Sequence, residues 1–178
     1  RLTDGEIENY IDVNAGAGST VVLRSDGTLV VYGYDADGLR NVPPLPAGTT
    51  YLSVATGYFH MLALRSDGEV VAWGYNVRGQ CDVPALPAGL AWVELAAGAE
   101  HSLGRRSDGS VVAWGSNTTG QCDVPAIPSG LSVVQLAGGG EDVIWGQFRG
   151  HSVALLSDGS AIGWGHNEYL QCNVPELE

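Results

Sequence analysis

The stretch HMLALRSDGEVVAWGYNVRGQCDVP, His60 to Pro84, returns forty-one residues later as HSLGRRSDGSVVAWGSNTTGQCDVP, His101 to Pro125. Inside each copy, two runs rich in Val, Leu and Trp flank an Asp-Gly pair. That arrangement is a strong hairpin signal, because the turn needs a positive φ that Gly accepts without a Cβ clash. A further apolar stretch precedes each hairpin: YLSVATG, WVELAAG and VVQLAGG. A short segment around GQCDVP follows it. Pro cannot donate to a ladder, so this last segment is expected to be an outer edge strand or to leave the sheet.

The phrase extends over nearly the whole chain. SDG begins at Ser25, Ser66, Ser107 and Ser157, with spacings of 41, 41 and 50. An aromatic-Gly pair follows each time, at Tyr32, Trp73, Trp114 and Trp164, and each unit runs out at Pro43, Pro84, Pro125 and Pro175. A fixed period of this size indicates a solenoid, propeller or array. About four short strands in some forty residues is the size of a propeller blade. The expected fold is all-β: one propeller domain over residues 1–178, built from four four-stranded blades at roughly 1–45, 46–86, 87–127 and 128–178.

AxGxxHxxxLxxDG followed by VxxWGxNxxGQ resembles the repeat of the regulator of chromosome condensation family. The short unit and the trailing CDVP are most similar to bacterial members, which include propeller-type β-lactamase inhibitor proteins. The resemblance covers about residues 11–178 and implies a propeller, usually of seven blades. Function does not follow from it, because propellers host many functions. The first repeat departs from the pattern with Ser19 in place of His, Tyr32 in place of Trp, and GLRNVP in place of GQCDVP; the fourth has Leu170 where Gly79 and Gly120 stand. Terminal repeats are often atypical in this way. Four units are too few for seven blades. The expectation is therefore a partial ring, a fragment, or a ring completed by association, because an open half-ring would expose apolar blade faces.

Composition excludes several functions. Apolar residues make up 44%, as in an ordinary globular protein. Twenty acids against eight Lys and Arg give a net charge of −12, which a phosphate backbone or an anionic membrane would repel. Nucleic-acid binding is not expected, nor are the nucleotide exchange and chromatin binding of eukaryotic relatives. No apolar run reaches the length of a membrane span, and no signal peptide is visible. Arg1 at the start is read as a processed chain or a piece of a longer one, with an extracellular or secreted location expected.

The chemically capable residues recur at repeat positions. His60, His101 and His151 share one position just after a Gly-containing turn, where an imidazole hydrogen-bonding neighbouring backbone would fix each blade; a metal ring is the sharper alternative. Cys81, Cys122 and Cys172 share another, too far apart for disulfides, and read as small core residues. Asp26, Asp67, Asp108 and Asp158 are hairpin turn residues, not convergent carboxylates. Asn76, Asn117 and Asn167 are expected to shape a turn, and His166 beside Asn167 to be exposed. AGGGED, Ala137 to Asp142, lacks the Lys of a phosphate loop. No catalytic residues, metal site or cofactor is expected, and the chain is read as a non-enzyme.

A repeated wall places function where repetition fails. The largest failure is an insertion in the fourth unit within residues 140–150, GEDVIWGQFRG, carrying Trp145, Phe148 and Arg149. The corresponding loops hold Tyr58 and Phe59 in the second unit and Glu100 in the third. Aromatic side chains and Arg are favoured interface anchors. These six residues form the expected partner-binding set, with Trp145 either anchoring a partner or folding back as core. The reading is a non-catalytic module that binds a protein partner through aromatic loops, enzyme inhibition being one special case and homo-oligomers possible. The alternative is a structural extracellular building block assembling through open blade edges.

Overall fold

The computed structural model describes residues 9–142 and 148–175. They form twelve strands in four antiparallel sheets of three, each sheet made of consecutive strands. Blade 1 comprises β1 (Tyr10–Ala15), β2 (Ser19–Arg24) and β3 (Leu29–Gly33). Blade 2 comprises β4 (Tyr51–Thr56), β5 (His60–Arg65) and β6 (Val70–Gly74). Blade 3 comprises β7 (Trp92–Ala97), β8 (His101–Arg106) and β9 (Val111–Gly115). Blade 4 comprises β10 (Val133–Asp142), β11 (Phe148–Leu156) and β12 (Ala161–Gly165). Among the described residues no helix is long and apolar enough to cross a membrane.

Each Asp-Gly turn closes its hairpin as its chemistry requires. Gly68 sits at φ 88°, and Gly109 at 85°. The Asp carboxylate holds the turn from outside: Asp108 Oδ1 accepts from the backbone N–H of Ser110 at 2.9 Å and from its hydroxyl at 2.6 Å. The preceding Ser extends the ladder by a side chain, with Ser107 Oγ accepting from Ala91 N–H at 3.1 Å.

The blades have three strands, not the four expected. After each aromatic-Gly pair the chain spends its backbone donors on local turns, as in Asp82 N–H to the Gly79 carbonyl at 3.0 Å and Val83 N–H to Cys81 at 3.0 Å. Pro84 then has no N–H to offer a ladder. The segment leaves the sheet, yet its apolar residues Val83 and Leu86 still pack against the core.

The core lies between blades. One cluster joins Val21, Leu23 and Val31 of blade 1 to Tyr51, Met61 and Trp73 of blade 2; a second joins Leu62 and Leu64 to Trp92 and Trp114; a third joins Leu103 to Val133, Leu136 and Leu156. A bulge recurs near the start of every inner strand, between Tyr10 and Asp12, Tyr51 and Ser53, Trp92 and Glu94, and Val133 and Gln135. The extra residue shifts the alternation, so Tyr51 and Val54 bury on the same side, towards the preceding blade.

Polar bonds lock the same junctions. The Gln80 carbonyl accepts from the Ser102 hydroxyl at 2.8 Å and the Trp114 indole at 3.0 Å. The Gln121 carbonyl accepts from Ser152 at 2.9 Å and Trp164 at 3.0 Å. At the first junction Trp73 donates to the Leu39 carbonyl at 2.8 Å. The inner strands converge on small residues. A Cβ on Gly57 would lie 2.5 Å from the Gly98 carbonyl oxygen, so only Gly lets the blades approach this closely.

The four blades make an open arc. Tyr10 and Val13 of blade 1 are 56% and 63% exposed, whereas their counterparts Tyr51 and Val54 are 3% and 5% exposed. The partial ring read from the repeat count is the architecture observed.

Candidate functional site

The loop after β3 in blade 1, the inner turn of blade 2 and the start of β11 in blade 4 bring aromatic rings together on one face. Tyr34 meets Phe59 at a centroid distance of 6.1 Å, Phe59 meets Tyr58 at 5.2 Å, and Tyr58 meets Phe148 at 5.2 Å in an edge-to-face contact. Phe148 also meets Phe59 at 6.3 Å. Such geometries are favourable beyond the area they bury. Phe59 is anchored against the blade 1–blade 2 core, which gives the cluster a rigid base. Tyr34 is 56% exposed and sits at the rim.

Phe148 also borders a cavity of about 350 Å³ with Arg78, Glu100, Ser116, Thr119 and Arg149. Glu100 is only 4% exposed and lies 3.7 Å from the half-exposed Arg78 guanidinium. Thr119 donates its hydroxyl to the Gly150 carbonyl at 2.9 Å, tying blade 3 to the base of the blade 4 hairpin. Arg149 pairs with Glu168, and the His166 imidazole also faces that carboxylate at 3.3 Å. The His166 hydrogen bond and then the Arg149 charge hold the Glu168 carboxyl below the usual range.

Five of the six sequence-derived binding residues therefore share one face. Tyr58, Phe59 and Phe148 form the ring cluster; Glu100, Arg149 and Phe148 line the cavity beside it. Trp145 lies outside the described residues. Much of the insertion is strand rather than loop, because β10 and β11 continue in register through Gly140–Gly150, Glu141–Arg149 and Asp142–Phe148. Tyr34, Thr119 and Arg78 were not in the expected set. The variability at the Tyr34, Tyr75, Ser116 and His166 position was the signal for the first of them. His166 is buried, not exposed: Gln171 donates its amide to Nδ1 at 2.8 Å, and the ring packs edge-on against Tyr169.

Two of the repeated histidines, His60 and His101, bond to the next blade's side chain rather than to backbone. His60 Nε2 lies 2.9 Å from Ser102 Oγ, and His101 Nε2 lies 2.9 Å from Ser152 Oγ. Each hydroxyl gives its proton to a Gln carbonyl, so the imidazole is the donor. A Ser–His pair of this kind is no nucleophile and base. Ser102 and Ser152 are 0% exposed and the hydroxyl proton is already committed. Burial, and then the like charge of the neighbouring histidine, push His60 down to about 3 and His101 to about 4. Among the described residues no group of three or more His, Cys, Asp or Glu is placed to hold a metal.

The cysteines are half-buried turn residues rather than core. Asn117 Oδ1 accepts from Cys122 N–H at 2.8 Å while its amide donates to Asp123, and Cys122 Sγ faces the Ser116 carbonyl at 3.2 Å. The same arrangement recurs around Asn76, which is the turn-shaping role expected of the Asn set. Burial, with an adjacent Asp, pushes the Cys81 and Cys122 thiols up to about 11. Alkylation of these two by iodoacetamide at pH 8 is expected to run roughly 100-fold slower than in the urea-unfolded chain, since the thiolate is the reacting form. Equal rates would mean that the turns do not shield the thiols.

Comparison with known proteins agrees with this geometry. Residues 52–80 and 92–121 match the Regulator of chromosome condensation (RCC1) repeat. No curated protein matches the chain in sequence. Among solved structures, Prp20p from Saccharomyces cerevisiae is similar at a TM-score of 0.75 and 20% identity, over 95% of this chain and 46% of that one. The ectodomain of the receptor kinase CR4 from Physcomitrella patens is similar at 0.71 and 20%, over 95% and 45%. Human WBSCR16 is similar at 0.71 and 18%, over 100% and 52%. The chain thus spans about half the length of the structures it resembles.

Proposed function

We propose that this array of RCC1-type repeats is a non-catalytic module that binds a protein partner on the ring cluster of Tyr34, Tyr58, Phe59 and Phe148 and the cavity beside it. The observation that carries the reading is the convergence of aromatic side chains from three blades on one face. Apart from Phe59, which packs on the blade 1–blade 2 core, these rings lie outside the junction clusters, which are built from other positions. Aromatic anchors beside an Arg are the chemistry of interface hot spots. Prp20p, similar in fold, is a protein whose binding to Gsp1p and histones, and whose complex with Kap60, have been described. Those partners support the kind of function and not an identity. The resemblance to bacterial inhibitor propellers makes a partner enzyme one class to screen.

The test is affinity capture with the intact chain and with Tyr58→Ala/Phe148→Ala, leaving Phe59 in place because it packs on the core. Each truncation of a hot spot costs about 2 kcal/mol or more, so the double variant is expected to lose at least a hundredfold in affinity for whatever is captured. Its urea midpoint should stay near that of the parent. Undiminished capture would refute the site, and a collapse in stability would show the rings to be core.

A further inference from the structure

The two end faces of the arc match each other as the internal junctions do, and we propose that a second copy of this chain docks head-to-tail on them. The back face of blade 1 would receive the forward face of blade 4 of the other copy, twice about a two-fold axis along the channel, completing a ring of eight blades.

Three observations carry this. The first is exposure at repeat-equivalent positions. On the back face Tyr10 and Val13 stand open where Tyr51 and Val54 are sealed by blade 1. On the forward face Leu155 is 37% exposed, against 8% for Leu64 and 1% for Leu23. Val174 is 38% exposed, whereas Val42, Val83 and Val124 pack on the three junction clusters. A cavity of about 190 Å³ opens beside this face between Arg149, His151, Tyr169 and Gln171.

The second is the pairing of polar residues. Junctions 2–3 and 3–4 each set a His against a Ser hydroxyl. Junction 1–2 has neither partner, since Ser19 replaces the His and Met61 the Ser. Loss or retention is thus matched across every junction. The forward end of blade 4 carries His151 at the His position, and the back of blade 1 carries Thr20, a hydroxyl, at the Ser position. A second match follows from Tyr51, whose hydroxyl donates to the Pro43 carbonyl at 2.6 Å. Blade 1 repeats that Tyr as Tyr10, and blade 4 repeats that Pro as Pro175.

The third is length. The chain covers 46% and 52% of Prp20p and WBSCR16, so two copies have about the length of one such chain. A heterologous contact that closes leaves no face open, whereas one that does not close gives a filament.

Sedimentation velocity of the 178-residue chain tests this. A single species of about twice 18.6 kDa is expected across micromolar concentrations. Val13→Lys on the back face and Leu155→Glu on the forward face should each give monomers with parental circular dichroism. Their equimolar mixture should regain a dimer, because one brings an intact forward face and the other an intact back face. Thr20→Val should weaken dimerisation roughly 30-fold, because each ring would lose one buried hydrogen bond at both of its junctions. A monomer at every concentration overturns the proposal and points to further blades of a longer polypeptide as the occupant. Open-ended polymers overturn the ring, and a dimer untouched by one of the two charged variants overturns the head-to-tail register.

Discussion

Between neutral pH and pH 4.5 the folded chain is expected to lose on the order of 5 kcal/mol of stability. His60 and His101 are held neutral, to about 3 and about 4, by burial at the blade junctions. In the unfolded chain each protonates near 6.5, so the unfolded state binds more protons in this window. The stabilisation is complete above the unfolded value and declines as pH falls towards the folded one, at about 1.4 kcal/mol per pH unit for each ring. Protonation would place a new N–H on Nδ1 of either ring, where neither now has a hydrogen-bond partner. The turn carboxylates Asp26, Asp108 and Asp158 lie below 3.8 and act outside this window. Relief of acidic self-repulsion acts in the opposite direction, so a fall in stability reports the histidines. Urea midpoints from pH 7.5 to 4.5 measure it. His60→Gln/His101→Gln keeps a donor for each Ser hydroxyl and removes the titration, so its midpoints should stay level across the window. A parent chain with no acid dependence above pH 4.5 would contradict neutral burial.

Leu62→Ala is expected to cost about 2–5 kcal/mol, the range for emptying a sealed core position. Leu62 is 0% exposed and lies in the cluster that joins blade 2 to Trp92 and Trp114 of blade 3. This is the middle junction of an array whose buried core clusters each join blades adjacent in sequence, the Tyr58 and Phe59 contacts with Phe148 being ring contacts outside those clusters. Stability in such arrays is a sum of unit and junction contributions, so weakening the middle junction separates two halves. The expected urea curve is both displaced and broadened into two transitions. Leu52→Ala is the control: its side chain is 55% exposed in the same blade, and the change should stay within about 0.5 kcal/mol. Equal effects from the two would mean that the junctions do not hold the molecule together.

Much of the site was legible because it stands where copies of one phrase disagree. Tyr58, Phe59, Glu100 and Phe148 all occupy the turn before or at the start of the middle strand, and in a propeller that turn faces the channel mouth in every blade. What could not be read was which side chains meet. Tyr34 follows a different strand, β3, and its contact with Phe59 crosses from blade 1 to blade 2. His166 is buried because Gln171, Tyr169 and Arg149 close around it, and none of those occupies the same position in the other copies with the same residue type except the Gln. The insertion looked like a loop because its glycines hide the pairing that continues the hairpin.

The repeating unit is legible in the chain: two strands about an Asp-Gly turn, a third before them, a proline exit, four times over. These are short-range matters of φ preference, alternation and missing donors, settled within a dozen residues. Three features arise from packing between units alone: the cores lie between blades, His60 bonds to a serine forty-two residues away, and the arc stays open at Tyr10 and Leu155. Those depend on the angle at which one twisted sheet stacks on the next, which is set by packing summed over whole faces and is written in no single stretch of the chain.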